Sequence, residues 1–245
     1  LIAQAEDIAE QGVKELILVA QETTVYGKDL YGKKSLHILL KKLCEIKGIR
    51  WIRVLYCYPE EIYDELIETI RDEKKICHYL DIPIQHASDR ILKRMGRRTS
   101  KQELIDIVGK LRKEIPDIVL RTTLITGFPG ETEEDHEELK EFVDEMEFDR
   151  LGVFTYSPEE NTPAAEMADQ VPEEVKEERR DELMELQQEI SYDKGQDRIG
   201  QELLVMIEGK VADESAYIGR TYGDAPKVDG YIFVQTGELL MTGDF

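Results

Sequence analysis

The stretch that decides the fold is Val119–Asp135, VLRTTLITGFPGETEED. Its first seven residues are mostly β-branched or apolar, and they predict a strand that ends at the turn Gly127–Gly130 (GFPG). Thr132 follows as a predicted helix N-cap, with acidic residues in the first helical turn. A strand, a tight turn and a helix in this order form the repeating unit of parallel α/β proteins.

The turn itself is a candidate ligand site. Gly127 and Gly130 allow the backbone to approach a ligand closely, because neither residue carries a Cβ. A helix N-terminus behind such a turn usually favours an anion. Here negative charge already occupies that end, so a cationic or zwitterionic ligand fits better; the acids are Glu131, Glu133, Glu134 and Asp135. A purely structural strand-to-helix turn explains the same residues equally well.

Composition limits the classes of function. The 245 residues suffice for one α/β domain and a small second domain. With 53 acidic and 32 basic residues the formal net charge is −21, which repels polyanions at long range and attracts basic partners. No apolar run approaches the roughly 18 residues of a transmembrane helix, and no signal-peptide pattern opens the chain. We therefore expect a cytoplasmic protein without membrane contact.

Cysteine spacing and basic clusters give no site. Cys44, Cys57 and Cys77 form no Cys-x-x-Cys pair, so we expect buried thiols of a reducing compartment rather than a disulfide framework or a metal site. The densest basic cluster, Lys93–Arg98, falls at a predicted helix end. A solvent-exposed helix C-terminus with cations that match its dipole is the expected structure there.

Strands alternate with helices up to about residue 157. The predicted strands cover residues 15–20, 51–56, 79–84, 119–125 and 151–156. The helices between them include 36–46, 60–71, 101–114 and 133–146. This alternation predicts a parallel sheet; we favour an incomplete parallel β/α barrel, with an open doubly wound sheet as the alternative. Nothing caps the first helix before Leu1, so we expect at least one strand upstream, within a longer protein.

The character of the chain changes after residue 157. A charge-rich helix is predicted from Pro172 to about Asp193, with one apolar face and otherwise solvated charges; the face comprises Leu183, Leu186 and Ile190. Short strand-like runs follow at residues 201–211, 216–221 and 231–235, and they predict a small all-β domain. We expect domains at 1–196 and 197–245, the second too short to close a barrel and therefore truncated.

The predicted functional site lies where the strands end. In parallel barrels and sheets, ligands bind at the carboxyl ends of the strands. The polar and ring-bearing residues there are Gln21, Glu22, residues 56–59, Gln85, His86, residues 127–131, Tyr156 and Ser157. No acid–base pair, nucleophile or metal spacing is evident among them, so no catalytic residue is assigned. A cofactor is expected to carry the chemistry.

Several motifs resemble those of the radical S-adenosylmethionine (SAM) methylthiotransferases. They are YLDIPIQHAS at residues 79–88, Gln21 with YGKD at 26–29, the segment 123–132, and FTYSP at 154–158. The first motif, with DQVPEEVKEER at 169–179, is most similar to the branch that modifies an aspartate in the twelfth protein of the small ribosomal subunit. The tRNA-modifying branch usually has Gln-Ser-Gly where this chain has Gln-His-Ala at 85–87.

The resemblance implies a fold, two kinds of cofactor and a binding site. The fold would be a partial barrel, of the radical SAM core type, that binds SAM and an iron–sulfur cluster. In this family the reduced cluster cleaves SAM to a radical that takes hydrogen from the aspartate β-carbon, and a methylthio group is added. By position, Gln21 and Glu22 would lie near the methionyl part of SAM and Gln85 near the ribose. Ile125 and Gly127 would present backbone to the adenine, and Pro129 and Gly130 complete the predicted cofactor site.

The chain departs from the family in its cluster loop. The family's Cys-x3-Cys-x2-Cys loop is absent, and we expect it upstream of Leu1. The full-length protein would then carry two 4Fe-4S clusters, none of them ligated by Cys44, Cys57 or Cys77. The fragment alone is expected to be inactive.

The tail resembles a TRAM domain, a small β-barrel that tRNA-modifying relatives use to bind RNA. Residues 197–245 hold nine acids and four bases, a balance that disfavours RNA. We expect a basic small-subunit ribosomal protein as the partner, either free or within the assembling ribosomal subunit. We expect no direct contact with RNA. Two alternatives remain open: a tRNA adenosine methylthiotransferase of the same family, and a non-catalytic ribosome-binding module.

Overall fold

A computed structural model describes residues 1–212 and 214–245. The main sheet has five strands in the order in which they occur along the chain, and the pairs β1–β2, β2–β3 and β4–β5 are parallel. A doubly wound sheet would reverse its strand order. The sequential order therefore confirms the incomplete parallel barrel. Its strands are β1 Glu15–Leu18, β2 Trp51–Val54, β3 Ile76–Gln85, β4 Val119–Thr126 and β5 Arg150–Thr155.

Helices connect the strands much as predicted. They are α1 Ile2–Glu10, α2 Lys28–Tyr31, α3 Leu36–Cys44, α4 Asp64–Asp72, α5 Asp89–Arg94, α6 Lys101–Glu114, α7 Glu133–Met146 and α8 Glu173–Asp197. The helix predicted over 60–71 is interrupted, because Ile62 is extended between the 3-10 turn Pro59–Glu61 and α4. Ser100 forms a capping box with Glu103 at the start of α6, and Thr132, the predicted N-cap of α7, forms a second one with Asp135.

The small all-β domain is confirmed as an antiparallel sheet. Its strands are β6 Met206–Lys210, β7 Ala216–Arg220 and β8 Ile232–Gln235, with β7 in the centre. Each predicted run contains one of these strands. The strands are shorter than the predicted strand-like runs, because glycines and bends lie near the ends of those runs.

The chain divides into two compact units. The first comprises residues 1–55, 63–80 and 200–245, and the second comprises 56–62 and 81–199. The antiparallel sheet thus belongs to the same unit as β1 and β2. The second unit contains β4, β5 and the helices α5 to α8.

Buried charges join the antiparallel sheet to β1 and β2 inside the first unit. The guanidinium of Arg53 is fully buried, donates to the Glu15 carboxylate at 2.8 Å and to the Tyr222 carbonyl at 2.6 Å, and lies 4.6 Å from the Tyr79 ring centroid. Arg220 donates to the other oxygen of Glu15 at 2.7 Å. Charges this deeply buried require such partners, so the two guanidiniums fix the sheet on the strands.

Arg220 has a second carboxylate partner in its own sheet. Its Nε lies 2.5 Å from Glu208. Burial alone would lower the pKa of Arg220, but the hydrogen bonds to Glu15 and Glu208 raise it. The guanidinium is therefore firmly charged, and Glu15 is held between two cations.

Candidate functional site

The turn after β4 is packed against protein side chains. Gly127 has φ +70°, and a methyl group added there would lie 2.9 Å from the Cβ and Cδ of Lys176 and closer still to its Cγ. At Gly130 an added methyl group would lie 2.8 Å from the Arg94 guanidinium carbon and closer still to Asp169. The space beside each glycine, through which a ligand could approach the backbone, is therefore filled by side chains of the protein itself.

Arginines neutralise the acids beside this turn. Glu131 is buried; one of its oxygens accepts from the Gly127 amide at 2.8 Å, and the other from Arg179 at 2.9 Å. Arg179 also reaches Glu133 at 3.1 Å. Glu131 and Glu133 are therefore paired within the protein, as the structural-turn interpretation requires, and they favour a cationic ligand less than the sequence indicates. The cationic ligand itself stays a prediction.

Asp135 is likewise occupied. Its carboxylate accepts from the Ser88 hydroxyl at 2.7 Å and from the Thr132 amide and hydroxyl at 2.8 Å each, and it forms an ion pair with Arg90. Burial would raise the pKa of Asp135, but the hydrogen bonds from Arg90, Thr132 and Ser88 hold it well below its usual range. The carboxylate is a structural anion that fixes the start of α7.

A buried lysine of α8 closes the turn from the other side. The Lys176 ammonium donates to the Tyr156 carbonyl and to Glu173, at 2.9 Å each, and the Lys176 carbonyl accepts from the Thr126 hydroxyl at 3.0 Å. Lys176 and Arg179 are both buried. The prediction that the charges of this helix are merely solvated is therefore wrong for these two residues.

The basic cluster at 93–98 is also only partly solvated. Arg94 donates to the Pro129 carbonyl at 3.0 Å and to Asp169 at 2.8 Å. The Arg97 guanidinium lies 4.7 Å from the Tyr58 ring centroid and donates to the Pro83 carbonyl. The expectation of a solvent-exposed helix end is wrong here, because these two arginines bind backbone carbonyls of the second unit.

One face of β4 stays open. Leu120, Thr122, Leu124 and Thr126 are buried, while Arg121, Thr123 and Ile125 alternate with them and are only half-buried. Ile125 pairs in register with Phe154, which is 60% exposed. The open face thus combines an apolar surface at the C-terminal end of β4 with a charged group near the start of the strand.

That charged group is an ion pair. Arg121 donates to Asp81 at 2.8 Å and to the Thr123 hydroxyl at 3.3 Å. Sequence reasoning did not single out Asp81, Arg121 or Phe154 for the site. A charged residue at an alternating position of an apolar strand, such as Arg121, was the available signal.

Gln85, which was predicted to face a ribose, is the last residue of β3. It is half-buried and its φ is +72°. A positive φ is uncommon outside glycine, and such residues concentrate at functional sites. Gln85, Ile125 and the turn residues Gly127, Pro129 and Gly130 all belong to the second unit, at or just after strand ends.

Gln21 and Glu22 belong to the first unit, shortly after β1. Gln21 is exposed, whereas the Glu22 carboxylate accepts from the amide and hydroxyl of Thr24, the amide at 2.8 Å. The Thr23 hydroxyl donates to the Leu55 carbonyl at 2.6 Å. Glu22 therefore stabilises its own loop, and only Gln21 presents an exposed side chain.

The second unit suits a nucleoside. Ile125 and Phe154 offer apolar surface to a base, and the Gln85 amide can exchange hydrogen bonds with hydroxyls. SAM fits this donor set.

Burial disfavours the thiolate form of two of the three cysteines. Cys77 is buried, and burial raises its pKa to about 12; burial and the neighbouring Glu73 raise the pKa of Cys44 to about 11. Cluster ligands are thiolates. Within residues 1–212 and 214–245, no three His, Cys, Asp or Glu side chains are arranged to hold a metal ion.

Comparison with known proteins defines the class. Residues 1–143 match the model of the radical SAM superfamily, and residues 199–245 match that of the TRAM domain. The chain belongs to the radical SAM superfamily. Coproporphyrinogen III oxidase (HemN) from Escherichia coli, a radical SAM enzyme, shares the fold with a TM-score of 0.60 at 17% identity, over 96% of this chain and 60% of that one.

Two relatives of higher identity carry the same name. The chain is 66% identical, over its full length, to the ribosomal protein uS12 methylthiotransferase RimO of Lachnoclostridium phytofermentans, and covers 56% of that protein. It is 53% identical to the protein of the same name from Clostridium botulinum (strain Langeland), again over 100% of this chain and over 54% of that protein. The chain thus spans about half the length of these curated relatives.

Across residues 1–212 and 214–245, no helix combines the length and apolar character that a membrane-spanning helix needs.

Proposed function

We propose that this chain is part of a radical SAM methylthiotransferase that adds a methylthio group to the β-carbon of an aspartate in ribosomal protein uS12. The observation that carries the proposal is the 66% identity, over all 245 residues, to a relative of that name. Within that alignment, the motifs at 79–88 and 169–179 resemble the same branch. The activity is proposed for the full-length protein.

The second unit provides the proposed nucleoside site. We assign the ribose to Gln85 and the adenine to the backbone of Ile125 and Gly127, with Pro129 and Gly130 completing the turn. The side of Gly127 that Lys176 fills, and its amide, which donates to Glu131, are not part of this assignment. Lys176 and Arg179 take part indirectly, because they hold this turn in place. The assignment of Gln21 and Glu22 to the methionyl part of SAM rests on the sequence alone, and Gln21 is the more exposed of the two.

Bound SAM supplies the methyl group and, in this superfamily, the radical that takes a hydrogen atom from the substrate. The residues of this chain orient it: an apolar surface at Ile125 and Phe154 excludes water from one side of the base. The two 4Fe-4S clusters are proposed to bind cysteines outside this chain, since within residues 1–212 and 214–245 no three side chains of the ligand types are grouped to hold a metal ion.

The charge of the tail supports a protein substrate. Of the four bases in residues 197–245, Arg220 is buried and paired with Glu15 and Glu208, so it is withheld from any phosphate. Nucleic-acid affinity comes mainly from lysine and arginine on the phosphates. An acidic exterior attracts a basic ribosomal protein instead, and the reaction is proposed to occur in the cytoplasm, on free uS12 or the assembling subunit.

The test is a reaction of the full-length protein with rebuilt clusters, a reductant, SAM and purified uS12. The expected product is uS12 heavier by one methylthio group in place of hydrogen, measured by mass spectrometry of the intact protein. A uS12 variant with alanine at the modified aspartate is the matched control and should stay unchanged. An unchanged mass of wild-type uS12, with tRNA modified in a parallel reaction, would establish the tRNA enzyme; no modification of either would favour the binding module.

A further inference from the structure

Tyr56, two residues after β2, has a strained backbone. Its φ is +59°, in the left-handed region. Within the described residues, the other non-glycine residues with positive φ are Gln85, Glu147, Asn161 and Lys227. A left-handed conformation is a genuine outlier for a bulky residue such as tyrosine, whereas Glu147 has an ordinary reason for it as the C-cap of α7.

Asp81 holds this strained segment. Its carboxylate accepts from the Tyr56 amide at 3.3 Å, and its carbonyl accepts from the next amide, that of Cys57, at 2.8 Å. Asp81 is itself buried and ion-paired with Arg121 at 2.8 Å. The conformation of Tyr56 is therefore fixed from β3, and β4 fixes Asp81 in turn.

Packing does not offset the strain. Tyr56 is 46% exposed, so a large part of its ring contributes no buried area. Glycine would adopt the same backbone without strain. A residue that is strained, half-exposed and clamped by a buried ion pair is accounted for if its side chain contacts a ligand.

We propose that Tyr56 contacts the polypeptide substrate and that Asp81 is its positioning residue. This inference rests on the proposed function. The charge of Asp81 is already balanced by Arg121, so Asp81 itself does not favour a charged ligand. An exposed phenol presents an apolar ring and one hydroxyl, which suits an extended peptide that needs both a packing surface and a hydrogen bond to its backbone.

The decisive variant is Tyr56→Gly in the full-length protein. Because strain is relieved, the unfolding temperature of this variant should be unchanged or higher. Its Kd for fluorescently labelled uS12 should rise about tenfold, whereas its Kd for SAM should equal that of the wild type. Glu147→Gly is the matched control: it relieves a left-handed residue at the C-terminus of α7 and should leave uS12 binding unchanged.

A second pair of variants tests Asp81. If Asp81 acts through Tyr56, the double variant Asp81→Asn/Tyr56→Gly binds uS12 no more weakly than Tyr56→Gly alone, although Asp81→Asn alone weakens binding. Additive losses would show that Asp81 acts independently and would overturn its positioning role.

Three other results would overturn the proposal. They are wild-type uS12 affinity in Tyr56→Gly, a loss of SAM affinity in that variant, or a large drop in its unfolding temperature. Failure of the proposed function is distinguishable from all three, because wild-type full-length protein would then neither bind nor modify uS12.

Discussion

The side chain of Lys176 lies directly against the backbone of Gly127. A methyl group at Gly127 would overlap the Cγ of Lys176, and the ammonium at the end of the same side chain donates to the Tyr156 carbonyl at 2.9 Å. The first turn of α8 and the turn after β4 are therefore packed as one piece, although they are 49 residues apart in the sequence.

We expect Gly127→Ala to destabilise the protein by about 2–4 kcal/mol, because the new methyl group overpacks against Lys176 and alanine is strained at φ +70°. The free energy of unfolding from urea titration measures this. Gly109→Ala is the matched control: Gly109 lies inside α6 with no atom within 4 Å of an added methyl group, so the change should stabilise by about 0.5–1 kcal/mol. Equal effects of the two substitutions would contradict the packing argument.

Removing the lysine should make the same methyl group tolerable. In a Lys176→Ala background, Gly127→Ala should cost only its backbone strain, about 1–2 kcal/mol. A double-mutant cycle on the free energy of unfolding should therefore give a coupling of at least about 1 kcal/mol between positions 127 and 176. Strict additivity would mean that the two residues do not contact each other in solution.

Asp135 should make stability depend on acid pH. Because its pKa in the folded state is lower than the usual value of about 3.9, its stabilisation is complete above about pH 5 and decreases as the pH falls below about 4. Asp135→Asn should lose about 1–3 kcal/mol at pH 7, through the lost ion pair and capping box, and its stability should fall less steeply with acid. Urea titrations at several pH values measure both.

The control for Asp135 is another acid on the same helix. Asp144→Asn removes an exposed carboxylate of α7 and corrects for the change in net charge. If the free energy of unfolding of Asp135→Asn fell as steeply with acid as that of Asp144→Asn, Asp135 would not be the source of the acid dependence.

Glu15 should be among the most sensitive positions of the first unit. Glu15→Ala leaves the buried guanidiniums of Arg53 and Arg220 without their shared carboxylate, which should cost about 3–5 kcal/mol. The difference in the free energy of unfolding between the wild type and Glu15→Ala should depend little on salt, since the pairs are buried. Asp72→Asn, which breaks the exposed pair with Arg71, should cause no measurable change; a comparable loss there would count against the burial argument.

The cysteines of this chain should be dispensable for cluster binding. In the full-length protein, Cys44→Ala and Cys77→Ala should each retain the iron content of the wild type, because neither thiol is readily ionised. Iron analysis and the visible absorption of the reconstituted protein measure this. Loss of one cluster's iron in either variant would show that the chain contributes a ligand.

Local patterns predicted the elements well. The strand Val119–Thr126 follows from its β-branched residues, and the helices at Ser100 and Thr132 begin where a hydroxyl precedes an acid by three positions. The parallel sheet was predicted from the alternation of such local elements along the chain. Each of these features depends on residues that are close together in the chain.

Contacts between distant residues could not be predicted. Glu15 and Arg220 are 205 positions apart, and nothing in either segment indicates that they meet. Lys176 and Arg179 lie on a helix rich in charges, where a solvated position is the usual outcome for lysine and arginine. At the candidate site, position at a strand end indicated Gln85 and the family resemblance indicated Ile125, but the ion pair of Asp81 with Arg121 required the paired strands themselves.

The buried network around Glu15 limits how readily parts of this protein can be exchanged. Removal of the tail at residues 196 and 197, the predicted domain boundary, would expose Arg53. It would also leave Glu15 with one cationic partner instead of two. A tail grafted from a relative would have to bring a guanidinium to the position of Arg220 and a carbonyl to that of Tyr222. Exchange of tails between enzymes of this kind should therefore succeed only when the first two strands travel with them.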